Sequence, residues 1–333
     1  MKTVPVVLYE SAPYSKRMSF APPSARRLFP DLILLIVAIM WGGSYLATQD
    51  LAVASSAAAV MCARFVPAAA ILLCVNLARP KVRLRDSTLP GILLGTLRAA
   101  TIAMETIGVT LTSATNAGLI IALSILLTPI LESTLTKRRL SPSLIASILL
   151  ALIGITLLVG GQGFSGFNLG DGLMLVAAAT RALLGVAEAR FTVGRNTDVL
   201  GLTTVEIMFG AVIFAAWGGN SLLEHLPGFS VANWLTIAYL CLGCTIFAFL
   251  GQLWATKHTS ASRAGMLLGT EPGWALLVGV LLAGDKIGTL GYMGAAVLLV
   301  ATWWGARAEQ RWRGSNPFPR KFPIPTGRET ADD

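Results

Sequence analysis

The chain has 333 residues, of which 54% are hydrophobic and only 13% are charged, and its mean hydropathy is +0.69. Soluble proteins carry about 25% charged residues, so this composition excludes a water-soluble domain and a disordered chain. It favours a polytopic helical membrane protein. The net charge of +9 does not indicate nucleic-acid binding, because the basic residues form short clusters between apolar runs, as cytoplasmic loops do.

The two ends of the chain are polar, basic and rich in proline. Residues 1–30 contain Lys16, Arg17, Arg26 and Arg27, and they lack the apolar core and small-residue cleavage site of a secretory signal. We therefore predict a cytoplasmic tail over 1–30. A second cytoplasmic tail, with little order, is predicted over 306–333.

Ten apolar runs are long enough to span a bilayer, for which a helix needs about 20 residues. The predicted helices cover roughly 32–52, 56–77, 89–110, 114–135, 142–160, 171–192, 201–218, 231–255, 261–283 and 288–305.

Lysine and arginine fix the predicted orientation. If the N-terminus is cytoplasmic, 22 of the 26 basic residues fall in inner segments and one, Lys286, falls in an outer loop. The remaining three, Arg64, Arg98 and Arg181, lie within spans. Because basic residues accumulate on the cytoplasmic side, both termini are predicted to be cytoplasmic and the number of spans to be even.

An internal repeat divides the chain. Residues 112–118 read TSATNAG and residues 259–265 read TSASRAG, so five of seven positions match at an offset of 147. Both copies open the fourth helix of a set of five, and Glu105 corresponds to Gln252 at the same offset. Five spans is an odd number, so the second set must be inverted. The prediction is an all-α integral membrane protein of ten transmembrane helices in two inverted five-helix repeats, 31–160 and 171–305, as in many secondary transporters.

Five short stretches resemble the drug/metabolite transporter superfamily, specifically its EamA-like ten-helix branch. They are Trp41-Gly-Gly-Ser-Tyr45, Ala63-Arg-Phe65, the 112–118 motif, Glu271-Pro272 and Ala283-Gly-Asp285. The resemblance covers about 32–305 and implies an inner-membrane carrier or exporter of small metabolites. The chain departs from the family pattern in three places. Asp285 replaces the usual Glu, Thr136-Lys137 stands where Gly-Glu is common, and Arg181 stands where an aromatic residue is typical.

Charged residues near mid-span are the first candidates for a site. Arg98, Arg181 and Glu271 lie there, and charge in the bilayer costs about 2.5–3.5 kcal/mol per residue on insertion scales. They would form either a solute-binding cluster, which we favour, or structural ion pairs. Glu188 and Glu206 are interpreted instead as structural, since both can reach the inner interface.

Several uncharged or less central residues complete the predicted site. Arg98 and Glu105 are seven residues apart, which places them on one face of a helix but about 10 Å apart along its axis. Trp41 and Tyr45 lie one turn apart, and Pro129 and Pro272 are expected to interrupt helices four and nine. The predicted lining of a central cavity is Trp41, Tyr45, Arg98, Glu105, Arg181, Gln252, Glu271 and Trp274.

Other features point less clearly to function. Arg64 would contact backbone carbonyls, Asp50 or the solute. Cys241 and Cys244 form a C-x-x-C without a second pair or a nearby histidine, so no metal is expected, and no cofactor is expected either. The Gly291-xxx-Ala295 spacing would serve a homodimer or packing within the fold equally.

These features favour a secondary transporter of small-molecule solutes in the lipid bilayer. No G-x-x-x-x-G-K-[ST] loop is present, so ATP is not expected to be the direct energy source. We predict export of amino-acid-like metabolites by alternating access. The alternatives are a proton-coupled drug or cation exporter and, less favoured, a membrane enzyme acting on lipid, which lacks H-E-x-x-H or paired mid-span aspartates.

The charges suggest two mechanisms. Arg98, Arg181 and Glu271 would carry +1 together if all are ionised. If an arginine lies close to Glu271, the cluster could clasp a zwitterion, with arginine on its carboxylate and Glu271 on its amine. If both arginines are distant, Glu271 could exchange protons during the cycle. We favour the clasp.

Overall fold

The computed structural model describes residues 25–79, 84–136, 140–160, 167–192, 197–258 and 267–315. Over these residues the fold is helical and has no strands. Eight helical segments are long and apolar enough to cross a membrane, and two shorter apolar helices, Pro142–Leu158 and Glu271–Leu281, accompany them. The prediction of an all-α integral membrane protein is confirmed.

The first repeat contains α1 (Ala25–Val53), α2 (Ala57–Leu77), α3 (Leu84–Leu111), α4 (Ala114–Ile120), α5 (Leu123–Thr136) and α6 (Pro142–Gly160). The second contains α7 (Leu169–Thr192), α8 (Val199–His225), α9 (Val231–Ala238), a π-helical segment (Tyr239–Phe247), α10 (Ala248–His258), α11 (Glu271–Leu281) and α12 (Thr289–Ser315). A short 3₁₀ turn, Leu226–Gly228, follows α8. Predicted helix four is α4 with α5, and predicted helix eight is α9, the π-helical segment and α10.

Two helices extend into the predicted tails. The first helix begins at Ala25, ahead of the predicted residue 32, and α12 continues to Ser315, well past residue 305. Hydropathy misses the α12 extension because the run from Ala306 to Arg311 is polar, yet Ala, Arg, Glu and Gln are all good helix formers. The expectation of little order is therefore wrong for the stretch up to Ser315.

Both repeats contain a broken helix at the same place. The chain turns at Ile121 and Ala122 between α4 and α5, and it turns at Gly269 and Thr270 before α11. These breaks correspond within one residue at the offset of 147. Pro129 lies inside α5 and not at the break, so the prediction that it interrupts helix four is wrong. Pro272 occupies the first turn of α11, directly after the turn at Gly269 and Thr270, where the interruption of helix nine was predicted and where its missing N–H costs nothing.

The two repeats pack through equivalent pairs of helices. Helix α2 packs on α8 and α6 packs on α12, each against its own counterpart. The packing of α3 on α7 is matched by that of α1 on α10, and the packing of α1 on α11 by that of α7 on α5. This is the contact pattern of two related halves about a pseudo-two-fold axis, as inverted repeats require.

Small residues serve close packing within the chain. A Cβ built at Gly154 of α6 would lie 3.0 Å from the Gly294 carbonyl oxygen of α12, and one at Gly294 would lie 2.6 Å from the Gly154 carbonyl oxygen. Ala295 is buried on the same helix. Backbones can approach this closely only where side chains are absent. The small-residue face of α12 therefore packs inside the fold, and a homodimer stays a prediction without support from it.

Candidate functional site

A cavity of about 340 Å³ lies between the two repeats. We call the end of the bundle where α3, α6 and α8 begin the basic end, because the basic clusters of the sequence adjoin it. Thr128, Pro129, Ala306 and Glu309 carry the cavity wall toward that end. The part of the cavity wall that lies deeper in the bundle is formed by Trp41, Arg98, Arg181, Glu188, Gln252 and Glu271.

The broken helices supply much of the cavity wall. Ile121, Ala122 and Ser124 come from the break between α4 and α5, and Leu268, Gly269, Glu271 and Pro272 come from the break before α11. Interrupted helices at matching positions of two repeats are typical of a solute site near the bilayer midplane. Here Ser124 and Glu271 occupy equivalent positions at the offset of 147.

Arg181 and Glu271 form a two-point ion pair beside the cavity. Nη1 of Arg181 lies 3.0 Å from Oε1 of Glu271, and Nη2 lies 2.6 Å from Oε2. The Tyr45 hydroxyl donates a 2.6 Å hydrogen bond to the same Oε1. Glu271 is only 5% exposed. Fork-to-fork pairing of this kind fixes the direction of the carboxylate as well as its charge.

Arg98 binds two carboxylates from the other repeat. Its Nε donates to Glu206 of α8 and its Nη2 donates to Glu188 of α7. The guanidinium carbon lies 3.8 Å from the centre of the Phe249 ring, so the cation also has an aromatic face. Glu188 was interpreted as structural, but it lines the main cavity beside Arg98. Spacing along one helix gave no sign of this partnership between three helices.

A smaller cavity of about 40 Å³ lies farther from the basic end. Tyr45, Arg64 and Glu105 line it together with Arg98, Arg181 and Glu271. Glu105 approaches Arg181 at 3.9 Å from Oε1 to Nη1. The predicted local charge of +1 covers only Arg98, Arg181 and Glu271. The two cavities and their ion pairs together hold three arginines and five glutamates, with Glu206 and Glu309 included, which gives −2 if all are ionised.

Arg64 and Trp41 converge on the π-helical segment. Arg64 donates from Nε to the Thr245 hydroxyl at 2.6 Å and from Nη2 to the Cys244 carbonyl at 3.2 Å. The indole N–H of Trp41 donates to the same carbonyl at 3.1 Å. Of the alternatives for Arg64, the structure shows backbone carbonyl contact. A π-helix frees carbonyls that an α-helix would use internally, and these two side chains satisfy one of them.

The end of the bundle opposite the basic end is closed by tight helix packing. A Cβ at Gly118 of α4 would collide with the Ala275 side chain of α11. Asp285, just after α11, accepts a 2.9 Å hydrogen bond from the Thr115 amide. Asp171, which is 1% exposed, accepts a 2.7 Å hydrogen bond from Thr112. The TSATNAG motif thus lies at this closure, while its second copy, 259–265, falls outside the described residues.

The structure brings seven of the eight predicted site residues to these cavities. Gln252 reaches the main cavity and Glu105 and Tyr45 reach the smaller one. Trp274 is not among the described residues that line either cavity. Its Cβ lies 2.5 Å from where a Cβ of Gly42 would stand, so it packs between α11 and α1. Helical spacing from Glu271 could not distinguish the cavity face from this packing face.

In the part of the chain that the structure describes, eight apolar helical segments of membrane-spanning length and two shorter ones surround a charged cavity, which is typical of a polytopic membrane protein of the transporter class. The profile of the EamA-like transporter family matches residues 28–160 and 168–304, one match for each repeat. The chain belongs to the EamA-like transporter family, of the drug/metabolite transporter superfamily.

Curated relatives agree with this assignment. An uncharacterized transporter of Archaeoglobus fulgidus is 26% identical over 286 residues, which are 83% of this chain and 85% of that protein. The uncharacterized transporter YyaM of Bacillus subtilis is 24% identical over 71% of this chain and 80% of its own length. One solved crystal structure shares the fold, with a TM-score of 0.58 and 20% identity over 85% of this chain and 98% of the other. The chain is a membrane transporter.

Proposed function

We propose that this transporter exports small zwitterionic, amino-acid-like solutes across the inner membrane by alternating access. The observation that carries the proposal is the arrangement of both signs of charge on one cavity. Arg98 and Arg181 stand there with Glu188 and Glu271, and the cavity runs toward the basic end of the bundle.

The ion pair of Arg181 with Glu271 supplies the chemistry of recognition. A zwitterion that inserts between them replaces one internal pair by two, with arginine binding the solute carboxylate and Glu271 binding the ammonium group. The total charge of the site is unchanged. Each of the two buried side chains keeps a partner of opposite charge, and this partner compensates for its desolvation. A solute with only one of the two charges would leave Arg181 or Glu271 without a partner.

The remaining lining suits a modest apolar side chain. Ile125, Leu184 and Leu268 border the charged residues. A volume of about 340 Å³ lies at the small end of the range for small-molecule pockets, roughly 300–1,000 Å³. These features support a solute the size of an amino acid rather than a large drug or a lipid.

The direction of transport follows from the side to which the cavity leads. The positive-inside rule places the basic end in the cytoplasm, and tight packing of α4 on α11 closes the other end. A solute would therefore load from the cytoplasm and leave when the closure opens. The sequence has no phosphate-binding loop of the G-x-x-x-x-G-K-[ST] type, which supports a gradient as the energy source. Family membership likewise supports transport over the alternative of a lipid-modifying enzyme.

A second candidate rests on the surplus of carboxylates. Five glutamates for three arginines favour a cationic solute exchanged for protons, in which a carboxylate releases a proton as the cation binds. This is the proton-coupled cation or drug exporter.

Three matched solutes in proteoliposomes distinguish these proposals. Leucine carries both charges, 3-methylbutylamine lacks the carboxylate, and 4-methylpentanoate lacks the ammonium group. We expect counterflow of leucine, or of another neutral amino acid tested in the same series, at least ten times faster than that of its two analogues. Faster flux of the amine, dependent on a pH gradient, would support the second candidate. Counterflow of no amino acid in the series would contradict the proposed solute class.

A further inference from the structure

A second concave site lies at the basic end, away from the transport cavity. This groove, of about 500 Å³, runs between the start of α6 and the end of α12. Its lining is Ser141, Pro142, Ser143, Trp303, Trp304, Arg307, Ala308, Arg311 and Trp312. None of these residues is acidic and two are arginines, so the groove is positively charged.

The two arginines lie on one face of α12. Arg307 and Arg311 are four residues apart, so they are neighbours on successive turns, and both are exposed. The guanidinium carbon of Arg307 lies 3.8 Å from the centre of the Trp303 ring, which holds the planar cation in one direction. The two guanidinium groups therefore form one basic face at this end of α12.

The groove lies at the depth of lipid headgroups. The uncharged run of α12 ends at Ala306, directly before Arg307. The other wall of the groove is formed by Ser141, Pro142 and Ser143, where the apolar helix Pro142–Leu158 begins. Trp303 is 54% exposed and Trp304 is 39% exposed, as expected of tryptophans in an interfacial belt. An anion bound here would therefore have acyl chains beside it, which favours a lipid over a free anion.

We propose that the groove binds an anionic phospholipid, with the phosphate between Arg307 and Arg311 and the glycerol and upper acyl chains against Trp303 and Trp304. Basic pockets between helices on the cytoplasmic side are suited to such headgroups. Because Ala306 and Glu309 of the same helix line the transport cavity, the lipid would also anchor a wall of that cavity. The proposal does not depend on the solute that the transporter carries.

Native mass spectrometry and thermal unfolding in nanodiscs test the site. The variants are R307Q/R311Q, the charge-preserving R307K/R311K, and R190Q, which removes an exposed charge from the same end of α7 outside the groove. Wild type is expected to retain a phosphatidylglycerol adduct and to unfold several degrees higher in phosphatidylglycerol than in phosphatidylcholine nanodiscs. R307Q/R311Q should lose both the adduct and the higher unfolding temperature, whereas R190Q should keep both and R307K/R311K should keep part of each. Glycerol 1-phosphate should not stabilise the wild type in detergent.

Three outcomes would overturn the lipid site. R190Q losing as much adduct as R307Q/R311Q would show general attraction to the basic end. Stabilisation by glycerol 1-phosphate equal to that by the lipid would indicate a free-anion site. Loss of a dimer peak, rather than a lipid adduct, from R307Q/R311Q would indicate that the groove is an interface between two copies of the chain.

Discussion

Tyr45 donates a 2.6 Å hydrogen bond to Glu271, and this bond joins α1 of the first repeat to the broken helix of the second. Both residues are buried. The same carboxylate oxygen receives Nη1 of Arg181, so the hydroxyl and the guanidinium together fix the direction of the carboxylate. A solute amine would meet a carboxylate that is already oriented.

Removing that hydroxyl should weaken solute binding without disrupting the helix packing. A hydrogen bond to a charged group contributes about 1.5–3 kcal/mol, so Tyr45→Phe is expected to raise the KM for the solute by about tenfold or more. Initial rates of counterflow over a range of solute concentrations measure this. Tyr292→Phe is a suitable control, because Tyr292 is 49% exposed on α12. Equal KM values for the two variants would show that Tyr45 does not orient the site.

Arg98 should matter to stability as well as to transport. Arg98→Gln leaves Glu188 and Glu206 close together without their shared cation, and breaking a buried pair costs about 3–5 kcal/mol. Adding Glu206→Gln removes one of the stranded charges, so the double variant should regain part of the lost free energy of unfolding. Denaturant titration in detergent micelles measures the free energy of unfolding of the wild type, of Arg98→Gln and of the double variant.

The control for this cycle is Arg190→Gln at the exposed end of α7. It should change the free energy of unfolding little. The Arg98 pairs do not stabilise the fold if Arg98→Gln and Arg190→Gln have the same free energy of unfolding. The same conclusion follows if adding Glu206→Gln to Arg98→Gln lowers the free energy of unfolding further instead of restoring part of it.

The closure opposite the basic end should fail when its small residues are enlarged. Gly118 faces Ala275 where α4 and α11 cross, so Gly118→Val is expected to hold these helices apart and favour the state open to the other side. Ser44→Cys, on the wall of the smaller cavity, reports the change in a background without the four native cysteines. Labelling by an impermeant maleimide added outside should rise several-fold while solute flux falls. Gly219→Val is the control, since a Cβ there meets nothing within 4 Å and Gly219 lines neither cavity, and equal labelling in both would contradict the assignment of the closure.

Topology is predicted by charge alone and needs its own measurement. Reporter fusions after Gly166 and after Arg195 flank the sixth span, and they are expected to report outside and inside respectively. The basic residues require this order. The same side for both fusions, or the reverse order, would contradict both the cytoplasmic termini and the proposed direction of transport.

Features repeated along the chain could be predicted from the sequence. Apolar length gave the spans, and the offset of 147 gave two repeats whose broken helices the structure places at equivalent positions. Depth within a span also identified Arg98, Arg181 and Glu271, since a buried charge is costly wherever it lies. These properties depend on local composition, which a sequence displays directly.

Partners between helices could not be predicted in this way. The pairing of Arg98 with Glu188 and Glu206 depends on how α3, α7 and α8 are rotated about their axes and which of them are neighbours. The placement of Trp274 in the cavity wall could not be checked from the sequence for the same reason, and in the structure its face of α11 packs on Gly42. The π-helical segment and the break at Ile121 and Ala122 have no proline to signal them, so their carbonyls were missed as well.

Glu271→Gln tests the zwitterion clasp most directly. Solute exchange is measured in proteoliposomes with equal pH on both sides, beside Glu224→Gln, which makes the same change at the exposed end of α8. Because an amide cannot replace the carboxylate as a partner for an ammonium group, Glu271→Gln should reduce exchange of an amine-bearing zwitterion at least tenfold while Glu224→Gln exchanges normally. Near-normal exchange by Glu271→Gln, with only the flux driven by a pH gradient lost, would contradict the clasp and assign Glu271 to proton coupling.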